Sequence, residues 1–358
     1  MMLKKVFPIL LILIISLSAC QPAVQNQGSS ENPRELTIMT HDSFSISAEL
    51  VSKYEADHQV KLTFIQGGDA GSALNRLVLT SGENKQPEAD VFYGLDNTFL
   101  SRGLEQDLFE PYEATNLDAI PENFKLDPEN RVTPIDFGDV CINYDKAWFG
   151  ENNLELPSSL KDLANPIYRD LLVVENPATS SPGLSFLMAT IAELGENGYL
   201  DFWQSLKDNG LTVVSDWETA YYTNFSGSSG KGPQPMVVSY ASSPAAELIY
   251  AETELAESPT ASLGGPGMCW RQIEFAGILK NTPNRDLAED FIDFLLSREF
   301  QEDMPMQMFV YPVLPEASLP EAFVRSTQIP ESVATLDSTL IAEKRDLWVN
   351  DWTNLILK

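Results

Sequence analysis

Three hydroxyls stand in a row at Thr179, Ser180 and Ser181, inside the stretch VVENPATSSPGLSFLMATIAEL. An apolar run ends just before them, and a Pro-Gly pair and apolar residues at helical spacing follow. Two chemistries use hydroxyls at such a strand-to-helix turn. One is a nucleophilic serine on an elbow; the other is a cradle that binds a polar ligand without reacting with it. The elbow needs G-x-S-x-G, so that glycines relieve the strained turn. Here the flanks are Ala178-Thr179 and Pro182-Gly183, and the first glycine is missing. A nucleophilic serine also needs a histidine base. The chain offers His41 and His58, the second on what reads as a surface turn. The serine hydrolase is therefore the weaker reading.

The cradle suits these residues better. Pro182 is tolerated in a first helical turn, where its missing N–H would be unpaired anyway. A serine at the cap then brings a hydroxyl and free backbone N–H groups to one spot, which holds a phosphate, a carboxylate or an alcohol. SYASSPAAEL repeats the device, with Ser242 and Ser243 ahead of Pro244.

The elements that must position these turns alternate in type. ELTIMTHDSF reads as a strand ending in a polar turn, SAELVSKYEADHQ as an amphipathic helix, and VKLTFIQ as an alternating strand. GSALNRLVLTSG reads as a helix and ADVFYGLDN as a strand, so β-α-β-α-β predicts a parallel sheet with helices on its faces. FGDVCINYD and CWRQIEFAGIL read as extended, and GLTVVSDW and PMVVSYASSP as strand-then-turn units. DLAEDFIDFLLS reads as a helix capped by Asn284, and a last helix carries Leu347, Trp348 and Trp352. SGSSGKGPQP reads as a surface loop. The strands end on His41-Asp42-Ser43, Asp69, Asp96-Asn97, Ser180-Ser181, Asp216-Trp217 and Tyr240-Ala241-Ser242-Ser243. Ligands of open α/β sheets bind beyond the carboxyl ends of strands. Together these ends outline a cleft.

The chain opens MMLKKVFPILLILIISLSAC. A basic start, a short apolar core and small residues before a cut describe a secretory signal over residues 1–19. Leu17-Ser18-Ala19-Cys20 resembles the bacterial lipobox, whose cysteine is lipidated and becomes the new N-terminus. Residues 20–34 are polar and bear Gly, Ser and Pro, as a flexible tether does. About 320 residues follow, comfortable for two lobes. The whole chain carries 23 basic and 52 acidic residues; losing Lys4 and Lys5 with the signal leaves 21 against 52, or −31. Such a surface repels nucleic acid and anionic lipid heads and favours a cationic small molecule. Cys141 and Cys269 remain in a compartment that can be oxidising, where an even count argues for one disulfide. Two histidines and no CxxC leave little material for a metal centre.

HDSF, GDAGSALNRL, ADVFYGLDN, ENPATSSPGLSFL, DWETAYY, VVSYASSPA and MFVYPV resemble, in order and spacing across the mature chain, the thiamine-binding proteins of bacterial ABC importers. The resemblance implies a two-lobed α/β fold of the periplasmic-binding-protein kind, type II, with two strands crossing between lobes. Lobe 1 would comprise residues 35–138 and 270–358, and lobe 2 residues 139–269. Cys141 and Cys269 would then sit on the two crossings. It implies a monomer without catalysis or cofactor, extracytoplasmic and anchored by Cys20, that passes thiamine, its phosphates or a close analogue to a permease. Ligand contacts carry over to Asp69 and Ala70, Ser180 and Ser181, Trp217, and Tyr240, Ala241, Ser242 and Ser243. A thiazolium is permanently cationic, so Trp217 and Tyr240 offer it a negative π face and Asp69 or Asp42 a counter-charge. The family has tyrosine where His41 stands and another aromatic near Ala246. Tyr221, in the Tyr221-Tyr222 doublet, is similar to the paired phenolates of ferric-binding relatives, which makes iron the alternative cargo.

Overall fold

The computed structural model describes residues 33–82, 85–229, 231–327, 329–330 and 332–358. The signal segment, Cys20 and the tether as far as residue 32 lie outside the described residues. The tether is shorter than expected at its far end, because Arg34 already pairs with Val60 in the sheet.

The strands are β1 (Arg34–Thr40), β2 (Val60–Gln66), β3 (Val91–Asp96), β4 (Phe109–Glu110), β5 (Thr133–Asp145), β6 (Leu172–Glu175), β7 (Thr212–Val214), β8 (Met236–Tyr240), β9 (Thr260–Leu263), β10 (Trp270–Leu279) and β11 (Tyr311–Pro312). The helices are α1 (Ala48–His58), α2 (Ala70–Thr80), α3 (Leu100–Glu105), α4 (Lys146–Asn152), α5 (Ser181–Leu194), α6 (Tyr199–Asp208), α7 (Ser243–Ile249), α8 (Arg285–Leu295), α9 (Arg298–Gln307), α10 (Glu321–Ser326) and α11 (Ser338–Ile356). One turn of π-helix spans Thr219–Asn224.

The main sheet runs β2-β1-β3-β10-β5-β8-β6-β7. Its ends are parallel trios, β2-β1-β3 and β8-β6-β7, as the β-α-β pattern predicts. Between them run β10 and β5, antiparallel to each other and to the trio beside each. The first half of β5 is held by β10 and β11, the second half by β8 and β9. The predicted lobe boundary at 138/139 falls in mid-β5, and that at 269/270 at the start of β10. A disulfide joins Cys141 to Cys269 there, with Cα atoms 4.3 Å apart.

Burial explains the helices. α8 turns Leu287, Ala288, Phe291, Ile292 and Leu295 to the core, one apolar stripe at helical spacing. Its cap differs from expectation: the Asn284 side chain accepts no bond from the helix, and its amide donates to the Glu35 carbonyl and to Asp90. α1, by contrast, is capped by Ser47. α5 is buried from Ser181 to Ile191, and α11 seats Trp352 edge-on against Trp203 at 5.5 Å. No helix among the described residues is long and apolar enough to cross a membrane.

Candidate functional site

The carboxyl ends of β1 and β8, the starts of α2, α5 and α7, the middle of β10 and the chain after α9 surround one cavity of about 310 Å³. That volume suits a small organic ligand. From the sequence-predicted set, Asp42, Asp69, Ser181, Trp217, Tyr221, Tyr240 and Ser243 line it. Ala70, Ser180, Ala241 and Ser242 stand behind the lining and are buried.

Each aromatic residue is seated by a partner. Trp217 stacks on Tyr221 with centroids 5.0 Å apart and planes 20° from parallel, and its Nε1 donates to Ser239 Oγ at 2.9 Å. Tyr222 and Tyr240 meet Trp217 edge-on, at 5.6 and 6.3 Å. Tyr240 donates to Gln272 at 3.1 Å and lies on Gly138 of β5, where a Cβ would come within 2.8 Å of its ring. Only glycine permits that approach. The π-helical turn brings Tyr221 and Tyr222 to the cavity, and periodicity had no means of revealing it.

The polar side is built from carboxylates. Asp42 accepts the Gly68 N–H at 3.0 Å, so it braces a loop rather than capping a helix. Asp69 caps α2 through Ala70 N–H at 2.8 Å and takes the Trp217 N–H across the cavity at 3.3 Å. Glu274, on β10, stands opposite Asp96 on β3 and Asp136 on β5, three carboxyl groups abreast on adjacent strands. Tyr93 donates to Asp136 and Ser181 to Asp96. Burial pushes Asp96 up to about 6, against bonds from Ser181 and Thr98. Asp136 rises further, through burial and the charge of Glu274. Burial also raises Asp69, outweighing the Ser180 hydroxyl and the N–H groups that favour its charge. His41 lies 3.6 Å from Glu274; burial lowers its pKa, but Glu274, Asp69 and Asp42 together lift it above the ordinary value.

The two Ser-Pro turns behave differently from a cradle of free hydroxyls. Neither Ser180 nor Ser242 caps its helix through its side chain. Ser180 Oγ is buried without a hydrogen-bond partner, although it lies close enough to Asp69 to favour that carboxylate. Ser242 donates to the Phe309 carbonyl, and Ala241 N–H to the Asp139 carbonyl at 2.8 Å. Ser243 shares a 2.9 Å bond with Ser239, the acceptor of Trp217. Apart from that of Ser180, the hydroxyls are committed to the frame because both turns are buried, where an unpaired polar group is costly. Among the described residues no histidine bonds Ser180 or Ser181; His41 faces Glu274, and His58 faces Asp290 at 3.7 Å.

Sequence reasoning missed Glu274, Glu218, Phe44, Tyr250, Gln307 and Phe309 as lining residues. For Glu274 a signal existed. Gln272 and Glu274, two apart on a strand with apolar neighbours, share one face.

Residues 86–252 match the family profile of the bacterial extracellular solute-binding proteins. The thiamine-binding periplasmic protein of Salmonella typhimurium is 30% identical over 99% of this chain and 99% of its own. That of Brucella suis is 30% identical over 88% of this chain and 90% of its own. A solved structure titled periplasmic thiamin binding protein superposes with a TM-score of 0.76 at 28% identity, covering 90% of this chain and 96% of that one. The fold is accordingly the two-lobed, type II periplasmic-binding-protein fold, with β5 and β10 as its crossing strands.

Proposed function

The chain belongs to the family of thiamine-binding periplasmic proteins, and from that premise we propose that it captures thiamine outside the cytoplasm and delivers it to the membrane subunits of an ABC importer. The observation that carries the reading is the pairing of aromatic rings with carboxylates in one cavity. Trp217, Tyr240 and Tyr222 present π faces, and Asp42, Asp69, Glu218 and Glu274 present negative charge. Among the described residues the lining holds no lysine or arginine. A cationic heteroaromatic gains from both features, through stacking and through charge. A phosphate group would meet four carboxyl groups and one histidine, so thiamine fits this lining better than its phosphates.

In this reading Asp69 and Trp217 contact the ligand, Ser181 and Ser243 border it, and Ala70, Ser180, Ala241 and Ser242 support the wall from behind. Residues 35–138 with 270–358 form one lobe and 139–269 the other, and closure of the lobes on the ligand is the functional event. The bonds from Trp217 N–H to Asp69, from Ser181 to Asp96 and from Ser242 to the Phe309 carbonyl would be the latches. No chemistry is performed on the ligand. The iron alternative is weaker because Tyr221, one of the two phenols it needs, is buried in a stack with Trp217.

Mass spectrometry of ligand released from protein purified without dialysis tests the reading. Thiamine is expected; bound ferric iron would replace it with the alternative, and turnover of an ester would revive the hydrolase. The body is monomeric and held at the membrane by lipidated Cys20 in the same proposal. An acylated, diacylglyceryl cysteine supplies enough buried chain for stable anchoring. Cys20→Ser should free the protein from the membrane fraction, and a serine variant that stays there removes the anchor.

A further inference from the structure

One basic group in the cavity faces several acidic ones. His41 Nε2 is 3.6 Å from Glu274 Oε2, both side chains are nearly buried, and that nitrogen has no hydrogen-bond partner among the described residues. The imidazole is held in place from below. Gly94 has a φ of +108°, and a Cβ there would stand 2.6 Å from His41 Cδ2, so a larger residue would dislodge the ring. The Tyr93 ring lies tilted against it, with centroids 5.9 Å apart. Glu274 is also fixed: Gln272 donates to its Oε1 at 3.1 Å, leaving Oε2 to His41 and the cavity. The titratable groups around His41 come from every side. They are Asp42 in its own turn, Asp69 at the start of α2, Glu218 beside the π-helical turn, Tyr93 of β3 and Glu274 of β10, with Asp136 of β5 behind Glu274.

We propose that His41 is an exchangeable counter-ion: the positive charge of a bound ligand takes its place opposite Glu274, and the His41 proton leaves for solvent. The proposal rests on the reading of the cavity as a thiamine site, since it needs a ligand with a fixed positive charge. The balance is direct. The imidazolium gives its Nε2 proton to buffer, the electron pair of that N–H bond stays on the ring, and the carboxylate is unchanged. One positive charge departs as another arrives. The exchange resolves a conflict between the empty and the filled cavity. A buried carboxylate without a partner is costly, and so is a ligand cation beside an imidazolium. The histidine serves the first state and the ligand the second. A tyrosine at this position could not do so, because a phenol is neutral across the same pH range.

Protons and ligand therefore compete. His41 stands above the ordinary histidine value because Glu274 and its neighbours overcome burial, so at any pH more of the unliganded protein carries the proton than a free histidine would. Calorimetric titration with thiamine, in buffers of different ionisation enthalpy between about pH 6 and 8, counts the protons. Release approaching about one proton per thiamine is expected below the His41 pKa, with Kd rising about tenfold for each unit of pH lost there. An uncharged thiophene analogue should bind with no release. His41→Gln should remove the release and flatten the pH dependence, which separates His41 from the carboxyl groups nearby. Glu274→Gln should weaken thiamine more than the analogue. Thiamine bound without proton release, or with equal release by His41→Gln, overturns the exchange and leaves the thiamine site standing. Should the histidine variant fail to fold, the wild-type proton count with thiamine and with the analogue decides alone. Thiamine that binds at no pH overturns both readings.

Discussion

The cavity has two walls of opposite character. The aromatic wall is tied together by its own contacts: Trp217 stacks on Tyr221 and donates to Ser239, Ser239 bonds Ser243, and Tyr240 donates to Gln272. The carboxylate wall is hydrogen-bonded but crowded with like groups. Glu274, Asp96 and Asp136 stand abreast, Asp96 and Asp136 with raised pKa values, and the imidazole opposite lacks a hydrogen bond. The aromatic wall keeps its shape without a ligand and so supplies a preorganised face. The carboxylate wall stores electrostatic strain that only a cation relieves. Affinity for ring systems in general would come from the first, and preference for a charged one from the second.

The comparison presumes that the walls keep their register through the strands they share. Cys141 on β5 and Cys269 beside β10 are disulfide-bonded across 128 residues of chain. In the chain-entropy model a loop of that length is worth about 4–5 kcal/mol. Replacing both cysteines by serine should lower the stability read from urea unfolding by about that much. Thiamine affinity should change far less, because neither cysteine lines the cavity. Affinity falling in step with stability would mean that the walls have no fixed geometry of their own, and the comparison would break.

A second, smaller effect sharpens the aromatic side. Trp217→Ala removes a ring from the lining, and with it the stack on Tyr221 and the tie to Ser239. A loss of about 1–3 kcal/mol in thiamine binding is expected, with Trp217→Phe recovering part of it. Titration showing wild-type affinity for the alanine variant would take Trp217 off the ligand.

What the sequence revealed and what it hid follow the same division. The alternating elements, the first parallel trio and the order of strand ends were legible, because they rest on local periodicity and turn chemistry. So were Trp217, Tyr240 and Asp69, which sit at strand or helix ends. For Glu274 only a shared polar strand face with Gln272 was legible, since its meaning comes from Asp96 and Asp136, which are distant in sequence and adjacent only in the sheet. Ser180 and Ser242 misled for the same reason. A Ser-Pro pair announces a helix start, but which acceptor takes the hydroxyl depends on who is packed opposite, here the Phe309 carbonyl for Ser242.

The smallest effect is the one that best separates the walls, because it acts on one of them alone. Asp96, at about 6, and Asp69 have folded pKa values raised by burial, so each binds its proton more tightly folded than unfolded. Their share of stability therefore grows as pH falls from neutral through about 6 toward the ordinary carboxyl range, and is lost as pH rises. His41, also raised, acts in the same direction: its share is present below the ordinary histidine value and disappears as pH climbs through the folded pKa. Between about pH 8 and 6 the unliganded protein should gain on the order of 1 kcal/mol. Carboxylates with lowered values, such as Asp286 at about 2, oppose this only in more acidic solution. The liganded protein should gain nothing of the kind, because its cation already neutralises the carboxylate wall and is held less tightly as that wall takes up protons. Melting temperatures with and without saturating thiamine should thus lie far apart at about pH 8 and draw together at about pH 6. Curves that shift in parallel would show that the carboxylate wall is indifferent to the ligand's charge, and the aromatic wall would then account for binding by itself.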